Sequence, residues 1–150
     1  MPLYFPDPAC EIEASALDLE NTPRAIVAIG GSVETKGMEF PVHRHRKAQL
    51  VLTLRGMVRC EAEGSVRIVP PRCAVWIPGD VAHSIAIAGH VEAYVLLVEP
   101  DAAPGLPAHC CTLSVSPLLE RLLLYVTEMP VLYDVHGADG RIATVLLDQL

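Results

Sequence analysis

The stretch GMEFPVHRHRKAQLVLTLRG, Gly37 to Gly56, decides the fold of this 150-residue chain. It opens on a turn residue and sets two histidines, His43 and His45, one residue apart. On a strand, residues i and i+2 share a face about 7 Å apart. The spacing therefore predicts two imidazoles on one face: half of a metal site, or half of a polar pocket floor. Residues 49–54 follow as a strongly apolar, β-rich run, and Gly56 closes it. Farther on, WIPGDVAH, Trp76 to His83, supplies a strand end, a turn and a third histidine. If the two stretches pair, three imidazoles converge.

The flanking sequence carries the same β signature. Residues 24–34 read as a strand, weakened or bulged at Gly30-Gly31. Arg55-Gly56 predicts a hairpin between strands at 49–54 and 57–62. Glu63-Gly64-Ser65 is the next turn, residues 66–69 the next strand, and Pro70-Pro71 breaks it. Short strands at 74–77, 84–88 and 92–98 follow, separated by Pro-Gly-Asp and Gly-His. Many short strands with regular turns and no helical pattern between them predict a sandwich or barrel. The period changes after Val115. Ser116-Pro117 is an N-cap followed by proline at the first helical position. Leu118, Leu119, Leu122, Leu123 and Val126 form the helical stripe, which Pro130 stops. Asp139 can cap a second helix with Ile142, Val145, Leu146, Gln149 and Leu150 on one side.

Composition excludes several classes. Hydrophobic residues are 51% and aromatics only 5%, so aliphatics must make the core. No apolar run reaches the roughly 18 residues that a membrane helix needs. The formal net charge of −7 argues against this segment itself gripping phosphates. Five cysteines, Cys10, Cys60, Cys73, Cys110 and Cys111, form no CxxC pair. The first twenty residues lack a basic start and a long apolar stretch, so they do not read as a signal peptide. Together these features favour a reducing cytoplasm and free thiols.

The Gly37–His43-x-His45–Gln49–Gly56 spacing resembles the first motif of the cupins, and Pro78 to His83 the core of the second. Cupin metal sites usually carry glutamate where this chain has Gln49; Asp80 stands where glycine is expected, and Ile87 where asparagine often sits. More narrowly, Pro41 to Leu150 resembles the N-terminal effector-binding domain of AraC-type transcriptional regulators. HxH followed by AQL, then PPRCAVWIPGDVAH, LSVSPLLERLL and IATVLLDQL carry that likeness over more than two thirds of the chain. It implies a mainly β fold, a cupin double-stranded β-helix (jelly-roll barrel) with two C-terminal helices. The expected plan is an N-terminal arm at 1–22, the barrel at 23–115 and the helical pair at 116–150. The helices would form a homodimer and pass on the signal of a small-molecule effector. The arm could fold over the domain. DNA would be read only by a C-terminal domain absent from these residues.

His43, His45 and His83 suit a divalent transition metal such as Zn, Ni, Mn or Fe. Gln49 could add a weak neutral oxygen ligand or hold a water. Without the glutamate's negative charge, affinity for a hard, redox-active metal should fall. Without a metal, the same rings would line a polar pocket. Trp76 and Arg44 are the candidate effector-pocket residues. The run Arg44, Arg46, Lys47 reads as a solvated basic face that could attract an anionic effector. His90, His109 and His136 fall in turns or loops and read as surface. No catalytic residue is assigned, because Gln49 neither gives nor takes a proton at neutral pH. The competing classes are a small metal-dependent cupin enzyme, dioxygenase or isomerase, and a metal-free protein-binding module.

Overall fold

The structure is a computed structural model that describes residues 19–150. Most of the expected arm, with Leu3, Tyr4, Phe5 and Cys10, lies outside the described residues. The strands are β1 (Ile26–His43), β2 (Ala48–Arg55), β3 (Val58–Ala62), β4 (Ser65–Val69), β5 (Cys73–Ile77), β6 (His83–Val98) and β7 (Cys111–Ser114). Helices α1 (Pro117–Glu128) and α2 (Ala138–Asp148) follow. The strands form one antiparallel sheet in the order β4-β3-β6-β2-β5-β7, with β1 added on β6. The result is a nearly closed barrel with two C-terminal helices packed on one face of its sheet.

Strand β6 is the spine. β1 runs along one edge of it, from Ile26 opposite Val98 to His43 opposite His83. On the other edge β2 pairs residues 92–98 and β3 pairs residues 83–87. This corrects two expectations. Arg55-Gly56 is not a hairpin, because β2 and β3 do not pair with each other; they are successive segments along one neighbour. Gly56 makes the corner at φ +75°, and a Cβ there would meet the His90 carbonyl oxygen at 2.5 Å. The expected strands 84–88 and 92–98 are one strand. Gly89-His90 falls where the other edge passes from β3 to β2, and pairing with Thr35 and Glu34 of β1 carries the strand across it.

β1 is also longer than its sequence suggests. Its pairing with β6 runs unbroken through Gly30 and Gly31; the irregularities fall between Thr35 and Met38 and between Phe40 and His43. Gly30 serves close approach instead: a Cβ would lie 2.4 Å from the Ala93 carbonyl oxygen. Gly37 lies within β1 at the first irregularity and not in a turn.

The sheet separates two cores. On one face Ile26, Leu50, Leu52, Ala74, Trp76 and Leu96 pack against Leu119, Leu123, Val126 and Leu146 of the helices. The other face lines the barrel with Val51, Val58, Cys60, Val69, Val75, Ile77 and Ile87. β2 is buried on both faces for its first six residues, which explains its continuous apolar run. The Ser116 hydroxyl accepts from the Leu119 amide at 3.1 Å and caps α1. Gly137, not Asp139, is the N-cap of α2; the Asp139 carboxylate accepts from the Tyr125 hydroxyl. Leu118 and Val145, expected on apolar faces, are 50% and 41% exposed. The buried side of α2 is Gly140, Ala143 and Leu146.

Candidate functional site

The antiparallel register of β1 on β6 sets His43 directly opposite His83. β1 ends there. His45 therefore lies on the loop to β2 and not on the strand, which corrects the simple i, i+2 picture. The loop still returns the ring to the site, because Asp80 N–H donates to the His45 carbonyl at 2.8 Å. Asp80 holds φ +63°, the left-handed backbone that explains why glycine is the expected residue there. Ring centroids lie 4.3 Å apart for His43 and His83, 5.1 Å for His45 and His83, and 5.7 Å for His43 and His45. One candidate ligand atom from each ring lies within 4.8 Å of the others. The three residues could hold a metal.

Each ring is oriented in the same way. Nδ1 of His43 lies 2.8 Å from the Pro41 carbonyl oxygen, Nδ1 of His45 2.7 Å from that of Lys47, and Nδ1 of His83 2.8 Å from that of Val81. A carbonyl only accepts, so each Nδ1 carries the proton and donates. A neutral ring then offers its Nε2 lone pair. Nε2 of His83 is buried with no partner among the described residues. Nε2 of His45 faces Gln49 Oε1 at 2.8 Å. An oxygen there demands a second proton on the ring; the amide turned by 180° instead donates N–H to the lone pair. Burial pushes the His83 imidazole down from 6.5 to about 4, against the Val81 hydrogen bond and helped by charge on His43 and His45. The donor set, three lone pairs with one of them orphaned and buried, fits a divalent transition metal.

Arg44 and Arg46 of the basic run are exposed, but Lys47 is not part of a solvated face. Lys47 is 0% exposed. Its Nζ donates to the Leu19 and Thr22 carbonyls at 3.0 and 2.8 Å and lies 3.6 Å from Glu99 Oε1. Arg46 forks onto Glu99, with one contact at 2.9 Å, and its amide donates to Glu20. Burial lowers the Lys47 ammonium pKa, while the Glu99 charge works against that. Arg44 remains exposed beside the histidines. So residues 45–47 grip the site with one side chain and residues 19–22 with another. Sequence reasoning missed Lys47 and Glu99. Glu99 ends the spine strand just before Pro100, but no local pattern marks a lysine for burial.

Trp76 is not brought to the histidines. Along β5, Val75 and Ile77 line the barrel, so Trp76 faces the helices, 3% exposed, and donates Nε1–H to the Pro107 carbonyl at 2.9 Å. His90, His109 and His136 are exposed, as expected. The described cysteines, Cys60, Cys73, Cys110 and Cys111, are free.

The model of the AraC-like ligand binding domain matches residues 27–139. The chain belongs to this family. It is 39% identical over 126 residues to the HTH-type transcriptional regulator NimR of Escherichia coli (strain K12). That match takes in 84% of this chain and 46% of NimR, so the chain spans just under half the relative's length. Among solved structures, AerE from Microcystis aeruginosa superposes with a TM-score of 0.52 at 12% identity, over 62% of this chain and 44% of that one. A looser likeness, TM-score 0.45 at 18% identity, links 49% of this chain to 66% of an RmlC-like cupin from Shewanella frigidimarina. No helix among the described residues is long and apolar enough to cross a membrane.

Proposed function

We propose that this domain is the sensor of a cytoplasmic transcription regulator, binding a divalent transition metal and a small effector in its barrel without catalysing a reaction. Nε2 of His43, His45 and His83 would hold the metal, with Gln49 as a neutral neighbour. The observation that carries the reading is the shared orientation of the three rings: every Nδ1–H is spent on a backbone carbonyl, which leaves Nε2 as the lone-pair side of each ring, with that of His45 against the Gln49 amide. When bound, the metal would supply a Lewis-acidic anchor for an effector oxygen. The protein's own part is to keep the rings neutral and aimed. Zn, Ni, Mn and Fe all accept imidazole, and the amide of Gln49 in place of a carboxylate disfavours the harder, redox-active members. Arg44 at the exposed rim would draw an anionic effector inward. Trp76, buried against the helices, has no part in this pocket.

The same residues support a reading without catalysis. Among the described residues no carboxylate joins the three rings as a candidate ligand, and Gln49 cannot move a proton. The helical pair would carry the homodimer, since Leu118, Tyr125 and Val145 on the helices and Leu132 between them expose apolar surface. DNA would be contacted by a further domain outside these residues, in line with the longer HTH-type relative. The test is metal stoichiometry after dialysis, wild type against His43→Ala with His45→Ala. We expect about one metal per chain in the first and none in the second; equal content would place the metal elsewhere. Metal-dependent turnover lost in His83→Ala would promote the enzyme reading.

A further inference from the structure

We infer that Arg67 forms an anion subsite inside the barrel, and that the ligand it takes is a small organic carboxylate. This rests on the reading of the barrel as an effector chamber. On β4, Val66 and Ile68 point outward, 51% and 50% exposed. Arg67 therefore faces inward with the buried Val69. It pairs across the sheet with Cys60, which pairs with Ile85 of the spine strand. The adjacent inward row is Ser65, Ala62 and His83. Two strand spacings across and two residues along place the Arg67 and His83 Cα atoms roughly 12 Å apart on a flat sheet. Both residues lie on the inward face of the sheet.

The guanidinium is fixed but unsatisfied. Nη2 donates to the Cys110 carbonyl at 3.1 Å, which sets the plane. Nη1 is buried and has no hydrogen-bond partner among the described residues. Among the described residues no carboxylate pairs with it: the ion pairs there are Arg46–Glu99, Lys47–Glu99 and Arg59–Glu61. Glu63, the nearby acid, accepts from the Cys110 amide instead. The neighbouring thiols do not neutralise it either, since burial raises the Cys60 pKa and pushes Cys110 up to about 11. A guanidinium cannot shed its proton to escape the cost of burial. It needs an anion. One free nitrogen with two N–H groups suits a single carboxylate, whereas a doubly charged phosphate calls for more cations. The aliphatic lining, Val58, Val69, Val75 and Ile87, suits the ligand's apolar body.

The experiment is a thermal-shift titration with benzoate, succinate and 2-oxoglutarate. Benzamide and succinamide serve as neutral controls, at matched ionic strength. Metal content is measured on the same samples. Wild type, Arg67→Gln and Arg67→Lys are compared. We expect at least one carboxylate, and no amide, to raise Tm in wild type. Arg67→Gln should weaken that binding at least tenfold with metal retention unchanged, and Arg67→Lys should fall between. If Arg67→Gln does not fold, Arg67→Lys decides, because it keeps the charge and loses the fork. Equal binding in wild type and variants overturns the subsite, as does a wild type that answers to no carboxylate; Nη1 is then satisfied by water alone. Metal retained without a carboxylate response leaves the metal reading standing. A carboxylate response without metal retention keeps the subsite and removes the metal.

Discussion

The two faces of the sheet are built on opposite terms. The helix face is close-packed with Ile26, Leu50, Leu52, Leu96, Leu123 and Leu146, and the one polar atom Trp76 brings there is satisfied by Pro107. The barrel face is lined with smaller side chains, Val, Ala and Cys among them. It also carries all three buried side-chain atoms that lack a partner among the described residues: Thr53 Oγ1, Arg67 Nη1 and His83 Nε2. Large aliphatics against helices give stability without choice of ligand. Small residues with unspent polar groups forgo stability and keep binding capacity. Departure from full polar satisfaction on one face of an otherwise consistent fold marks that face as the working one.

The largest expected effect breaks the helix face alone. Leu123→Ala removes a fully buried side chain and should cost about 2–5 kcal/mol by chemical denaturation. Metal content per folded chain should stay unchanged; a parallel loss would show that the faces are not independent. Acid should break the barrel face. In metal-free protein, His83 sits at about 4 in the fold against 6.5 in the unfolded chain. Between these values the unfolded chain binds the extra proton, so stability is whole above 6.5 and falls as the pH drops towards 4. The loss is on the order of 3 kcal/mol at most. His83→Leu should flatten that part of the stability–pH curve, and an unchanged slope would assign the acid sensitivity to other groups. Lys47→Met comes next. It removes the ammonium donor from the Leu19 and Thr22 carbonyls, which keep only the backbone amides of Thr22 and Arg24, while Arg46 still pairs Glu99, so about 1–3 kcal/mol is expected. Hydrogen exchange should speed at the Arg24 amide, which donates to Thr22. Unaltered exchange there would mean that Lys47 does not hold residues 19–22.

Much of this was legible in the sequence. The three histidines, the apolar run of β2 and the helix after Ser116-Pro117 are local patterns with local causes. What escaped was set by distant partners. Arg55-Gly56 looks like a hairpin because a turn signal says only that the chain bends. It cannot say that both flanking strands lie along β6. Gly30-Gly31 looks like a bulge until Ala93 and Tyr94 are seen pressing on it. Lys47 looks solvated because its three oxygen partners come from residues 19, 22 and 99. Trp76 looks like a pocket residue until strand alternation is seen to put it on the helix face, away from Val75 and Ile77. Which face of β5 is the barrel face follows only from its register on β2, with Ile77 opposite Gln49 and Trp76 opposite Leu50.

The smallest expected effect is the sharpest check on the division of labour. Ser116 caps α1 through one hydrogen bond, Leu119 N–H to Oγ at 3.1 Å. Ser116→Ala removes it and leaves the amide to water, for which about 1 kcal/mol is the usual loss. Pro117 holds the first helical position, so the helix should still start in the same place. The change touches neither the barrel lining nor the loop at residues 44–47. Stability should therefore drop by about 1 kcal/mol while metal retention and any carboxylate response stay at wild-type strength. If ligand binding weakens by more than the small shift in the folded population explains, α1 and the barrel exchange information already within one chain. The helix face would then be part of the sensor and not only its support.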